Sequence, residues 1–344
     1  MKKLKLLQSF RAIAPVMILL LHASHLFEVN FMYMLDIEKT GGVDLFFVMS
    51  GFLLYYIYQR KFGVQGETKR FLIKRVSRIY PLVWILTIFF FIVSAMLGTI
   101  FPTWTSYSWN MLLDSMLILP NTEHILDTTW SLSHIIFFYG IIALIIWKPV
   151  LRIPFLIITL FCSILFLMPS ELEMGWLGLV LNLYNLEFLL GCLAAQIVLK
   201  KRLAGGYAFL IAGISGFMFT WYYMMDGEWE FIPLEVLFGV SSFFLILGGA
   251  ALDRNKDIRI PKLFQVLEKS SFAIYLIHYP LLLIFIYFYD LHGVDEYVSS
   301  TFVFTASVMI TIAICIGAHY WVERPLDQMV QRWIRPKLDK VDSN

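Results

Sequence analysis

Residues 8–25, QSFRAIAPVMILLLHASH, decide how this chain is read. Arg11 stands near the start of the run and His22 near its far end. In a helix the eleven-residue step from one to the other makes about three turns, a rise of about 16 Å, and the two side chains point within about 20° of each other. A cation near one face of a bilayer would then lie below an imidazole towards the other. Two further stretches frame this one. Residues 41–56, GGVDLFFVMSGFLLYY, open on paired glycines and Asp44; residues 71–81, FLIKRVSRIYP, carry Lys74, Arg75 and Arg78 up to Tyr80-Pro81.

The composition sets the same frame. The chain has 344 residues, 59% hydrophobic and 15% charged, with mean hydropathy +0.74. Soluble domains are nearer 45–50% apolar and about 25% charged. The expected fold is all-α, a polytopic bundle of about ten transmembrane helices with both termini cytoplasmic. Apolar runs long enough to span a bilayer fall at 9–27, 43–59, 81–101, 131–147, 153–168, 178–198, 207–225, 231–252, 271–289 and 298–320. The first is read as a retained helix, because no small-residue cleavage site follows it. Cys162, Cys192 and Cys315 lie inside apolar runs without CxxC spacing, so neither a metal site nor a disulfide framework is expected.

Alternating the spans from a cytoplasmic N-terminus leaves only Lys39, of the 27 lysines and arginines, on the outer side. Acids gather there instead: Asp114, Glu123 and Asp127, then Glu171, Glu173, Asp226, Glu228, Glu230, Asp290, Asp295 and Glu296. This separation supports ten spans with both ends inside. A single domain over residues 1–323 and a cytoplasmic tail over 324–344 are expected. A net charge of +2 gives no reason to expect a nucleic-acid partner.

Ionisable groups within a membrane are costly and point to function. Desolvation disfavours an imidazolium, so a partly buried His22 is expected neutral and able to accept a proton. Asp44, opening the second span, is the acid expected to approach it and fix its tautomer; a histidine that only bonds between helices is the alternative. His25 lies nearer the surface. Arg11, Lys74, Arg75 and Arg78 either are ordinary positive-inside charge or seat a polyanion, with guanidinium forks on phosphates. Tyr80-Pro81 is read as the first turn of the third span, and the glycine pair as a turn or a close backbone approach. Trp130 is an expected interfacial anchor, Ser131 and Ser133 helix caps, and His134 either a cap or an acceptor contact. Glu187 and His278 read as mid-span groups that either line a polar cavity or bond neighbouring helices. His319 and Glu323 read as an ion pair at the inner edge. No Walker loop, GxGxxG, HExxH or GxSxG element occurs. A histidine base without a serine or cysteine nucleophile leaves direct transfer to a bound hydroxyl, or a transient acyl-histidine.

Taken together, these motifs resemble the acyltransferase-3 family of integral membrane O-acyltransferases. The resemblance runs through FRAIAPVMILLLHASH with Arg11 and His22, and through GGVDLFFVMSGFLL with Gly41, Gly42, Ser50, Gly51 and Phe52. It continues in FLIKRVSRIYP with Arg75, Arg78, Tyr80 and Pro81, then in WSLS, SFAIYLIHYP and a late ERP. Ile135 stands where the family's WSLS segment usually carries an acid. The resemblance implies transfer of an acyl group, usually acetyl, from cytoplasmic acetyl-CoA or another acyl-CoA to a sugar hydroxyl of an envelope polysaccharide or lipid-linked glycan. It implies a bacterial-type inner membrane, and no permanently bound cofactor is expected. No SGNH-type domain is fused, so the chain is expected to complete the transfer itself. The rival readings are a transporter or flippase using His22, Glu187 and His278 as a path, and a scaffold of a polysaccharide assembly complex; the sequence shows no clear repeat of the kind many transporters carry.

Overall fold

A computed structural model describes residues 4–101, 106–120, 122–166, 177–226, 232–291 and 298–342, and among these every regular element is helical. In chain order they are α1 (Lys5–Leu26), α2 (Gly42–Tyr58), α3 (Glu67–Ile100), α4 (Trp109–Leu117), α5 (Trp130–Trp147), α6 (Arg152–Phe166), α7 (Leu177–Val180), α8 (Tyr184–Lys200), α9 (Gly206–Asp226), α10 (Leu234–Asn255), α11 (Lys262–Leu291), α12 (Ser300–Ala318) and α13 (Arg324–Asp342). Among the described residues nine helical segments are long and apolar enough to cross a membrane; a shorter apolar one, Pro149–Leu165, stands at the fifth expected position. Residues 167–168 of that expected span, and the acids at 171, 173, 228, 230, 295 and 296, lie outside the described residues.

The bundle is apolar outward as well as inward. Phe89, Ile92 and Met96 on α3, Ile157, Phe161 and Ile164 on α6, and Met218, Phe219 and Tyr222 on α9 are exposed. Aqueous surfaces do not carry apolar belts of this extent; lipid-facing ones do. Inside, α1 turns small residues to its neighbours: Ala12, Ala14 and Ala23 are fully buried, which lets α1 pack closely among α2, α10 and α11.

Four glycines set how α2 lies. Gly41 caps α2 with φ of +79°, and a side chain there would meet Phe238 at 2.4 Å and Phe217 at 2.6 Å. Gly42 rests on α1, where a Cβ would meet the Ala14 carbonyl oxygen at 2.7 Å and Ile18 at 2.9 Å. Gly51 and Gly191 bring α2 and α8 into backbone contact. A Cβ on Gly51 would stand 2.0 Å from the Phe188 oxygen, and one on Gly191 1.9 Å from the Val48 oxygen.

One expectation needs correction. The third span does not begin at Pro81: α3 runs unbroken over 34 residues with Pro81 inside it, so the basic segment is helical and Arg75 and Arg78 share a face. Glu187 lies mid-span, as expected, within the apolar segment Leu177–Lys200. The run 178–198 is interrupted between α7 and α8, which puts Glu187 in the first turn of α8. At the other end of the bundle a π-helical segment, His319–Glu323, carries α12 straight into α13.

Candidate active site

Two cavities meet at Arg11, Arg75 and Arg78, which line both. The wider, about 590 Å³, lies at the basic end of the bundle between α3, the start of α11 and the α12–α13 junction. Lys74, Lys269 and Arg324 add to its basic lining, against Glu268, Glu323 and Asp327. Glu323 is bonded to His319 at 2.7 Å, as the sequence suggested. The narrower cavity, about 430 Å³, follows one face of α2 from Ile57 to Val43. That step of 14 residues corresponds to about 21 Å. Its walls are mainly apolar, with Phe46, Leu53, Leu54, Ile79, Ile135 and Phe272; the position where the resembled family usually has an acid is thus part of an apolar wall.

The arginines are held differently. Arg11 pairs with Glu268 at 3.2 Å. The Arg75 guanidinium sits 5.3–5.4 Å from the ring centres of Tyr58, Phe71 and Tyr139, and its Nε is buried without a hydrogen-bond partner. Aromatic faces attract and orient a guanidinium without spending its N–H donors. No ion pair neutralises Arg75 or Arg78 among the described residues.

The narrow cavity ends at Val43, Phe46, Ser131 and Tyr275. Tyr275 donates to the Thr128 carbonyl, so the 2.5 Å contact with Ser131 Oγ is donated by the serine. The Thr128 hydroxyl in turn donates to the Tyr275 carbonyl at 2.9 Å. Phe46 meets the Tyr275 ring edge-on at 5.8 Å. Ser131 is therefore spent on α11 and does not cap α5. Ser133 donates back to the Trp130 carbonyl at 2.6 Å, and His134 lies 3.4 Å from the same oxygen.

His22 lines neither cavity. It is partly buried one turn beyond the start of α2, four residues past Ile18, or about 6 Å. Its ring neighbours come from α11: Tyr279 at 4.9 Å and His278 at 5.5 Å between centroids. His278 is fully buried, with Nδ1 2.8 Å from the Ile274 carbonyl. His25 is exposed.

Asp44 does not reach His22, and no hydrogen bond joins them. Gly42 faces α1, and two residues on, a helix has turned by about 200°. Asp44 is thereby carried to the side of α2 that packs on α8. There it lies within electrostatic range of Glu187, Glu235 and Lys39. Asp44 and Glu187 are both 1% exposed, and their carboxyl groups lie within hydrogen-bonding reach of each other. Lys39 is bonded to Glu235 and lies over the Tyr184 ring at 5.9 Å; Tyr184 also touches Phe47, His134 and Trp130. Lys39, the lone base expected on the acidic face, is thus the counter-ion of a buried acid cluster. Burial lowers the pKa of its ammonium, but Asp44 and Glu235 outweigh that and the net shift is upward. A raised lysine pKa stabilises the fold in full below the ordinary lysine range and is lost only as pH rises through the raised value. Replacing Lys39 with methionine is expected to destabilise the folded protein by about 1–3 kcal/mol at pH 7, read as a lower thermal midpoint in detergent. An unchanged midpoint would remove Lys39 from that role.

Sequence reasoning did not single out Glu268 and Tyr275 as site residues, yet they hold the two ends of the channel. The signal was present. Glu268, Ser271, Phe272, Tyr275 and Tyr279 follow the i, i+3, i+4, i+7 spacing of one helix face.

The helical bundle is apolar on its outer surface, and inside it a basic cavity opens into an apolar channel, the architecture of a multi-pass membrane protein. The chain matches the acyltransferase domain model of the acyltransferase-3 family over residues 5–320, and it belongs to that family: it is a multi-pass membrane acyltransferase. It is also similar to the exopolysaccharide production protein ExoZ of Rhizobium meliloti (strain 1021), 27% identical over 264 residues, which cover 70% of this chain and 78% of that protein. No solved structure matches it.

Proposed function

We propose that this acyltransferase moves an acetyl group from acetyl-CoA to a hydroxyl of an envelope polysaccharide or lipid-linked glycan, with His22 as general base. The observation that carries this reading is the junction of the two cavities at Arg11, Arg75 and Arg78. An acyl-CoA is a cluster of phosphates joined to a long, weakly polar arm ending in a thioester. The basic cavity suits the phosphates and the apolar channel suits the arm. Likeness to a protein of exopolysaccharide production supports a glycan acceptor. The donor end would then be cytoplasmic, in a bacterial-type inner membrane, with the acceptor meeting His22 from the opposite side.

In the reaction, the acceptor O–H proton passes to a ring nitrogen of His22 as the oxygen attacks the thioester carbonyl carbon. The tetrahedral intermediate collapses by breaking the C–S bond, and the imidazolium returns the proton to the departing CoA sulfur. Proton transfer by a placed histidine contributes about 10²–10⁴-fold. The Tyr275–Ser131 contact stands between channel and base, so the acyl group has to pass this constriction to react.

Arg75→Ala and Arg78→Ala are expected to raise the KM for acetyl-CoA by about 10-fold each with a smaller change in kcat, since a charge-assisted contact is worth about 1.5–3 kcal/mol. Wild-type affinity should fall with added salt. Titration of acetyl-CoA into the purified protein checks both, and equal affinity in wild type and mutants would sink the donor assignment.

A further inference from the structure

We infer that His278 is a positioning residue for His22, accepting a hydrogen bond from its ring during turnover in the role first expected of Asp44. The inference rests on the assignment of His22 as base. It starts from the His278 Nδ1 contact with the Ile274 carbonyl at 2.8 Å. A carbonyl oxygen only accepts, so Nδ1 carries the hydrogen. A fully buried ring without a bonded carboxylate is held uncharged, and its other nitrogen, Nε2, is then a bare acceptor. That nitrogen is buried and has no hydrogen-bond partner.

The ring beside it is His22, 5.5 Å away between centroids and tilted by 38°. No bond joins them in this structure. Two imidazoles linked by one N–H···N bond have centroids about 5–6 Å apart, given an N···N distance near 3 Å, so a turn of the His22 side chain is enough. His22 is free to make it: it is partly exposed, and its other ring neighbour, Tyr279, meets it edge-on at 4.9 Å. Catalytic hydrogen bonds often tighten only when substrate is bound. With one N–H of His22 given to His278, the opposite nitrogen is left as the lone-pair base. Pro280, inside α11, lacks an N–H; this locally loosens the helix ladder beside the carbonyls that orient His278.

The test compares His278→Gln with His278→Phe in the full-length protein. The glutamine amide places an acceptor near the position of Nε2; phenylalanine fills the space without one. In ¹⁵N-histidine NMR, with resonances assigned by His22→Gln, wild type and His278→Gln should hold His22 in one tautomer with a downfield-shifted, hydrogen-bonded N–H when acetyl-CoA is added. His278→Phe should give a mixture without that proton. CoA release from acetyl-CoA with an envelope polysaccharide preparation should show kcat about 100-fold lower in His278→Phe, KM for acetyl-CoA unchanged, and most of kcat restored in His278→Gln. Identical His22 spectra in wild type and His278→Phe would overturn the inference, as would equal losses of kcat in both mutants. The spectra need no turnover, so a wild type that released no CoA would count against the proposed reaction and leave the pairing to be decided by NMR.

Discussion

Replacing His22 with alanine is expected to lower acyl transfer by about 10²–10⁴-fold while leaving acetyl-CoA affinity within about 2-fold of wild type. The split follows from position. His22 lines neither cavity at the basic end, and about 16 Å of helix separate it from Arg11. Removing it takes away the base and none of the groups proposed to hold the donor. CoA release and donor titration on the same preparation measure the two halves. Full turnover in the mutant would take His22 out of the chemistry, and a collapse of donor affinity would mean that the donor reaches further than the channel's end.

The second large effect is structural. Gly191→Ala is expected to destabilise the fold by about 3 kcal/mol, towards the upper end for overpacking. A Cβ there would stand 1.9 Å from the Val48 oxygen and 2.7 Å from the Phe52 nitrogen. Both obstacles are backbone, so no side-chain rotation relieves them. Gly51→Ala should behave alike, with the Phe188 carbonyl at 2.0 Å. Gly140→Ala is the control, because nothing lies within 4 Å of its added Cβ. Thermal midpoints and the monodisperse fraction in detergent report the difference; a Gly191→Ala protein as stable as the Gly140→Ala protein would mean that α2 and α8 separate easily.

Much of this arrangement was legible in the sequence. Arg11 and His22 share one helix because a single apolar run contains both. Arg11, Arg75 and Arg78 meet because each stands at the basic end of its helix, the end that the charge pattern of the chain marks. What the sequence did not carry was azimuth between helices. Asp44 follows His22 by a short loop, and nearness in the chain suggested nearness in space. Which side of α2 faces α1 depends on Gly42 settling against Ala14, a packing event that no spacing within α2 reveals. Hydropathy places Glu187 mid-span but does not register the break at residues 181–183, where the backbone leaves the helix between two apolar stretches. Tyr275 was passed over because a tyrosine among apolar residues looks like packing until its hydroxyl is seen bridging Ser131 and Thr128.

The contact between α2 and α8 has a mechanical consequence. Where two main chains touch, neither helix can slide or tilt without collision, so the side of the channel built on α2 is stiff. Any widening of the channel has to come from the facing side, where side chains of α3, α5 and α11 line it.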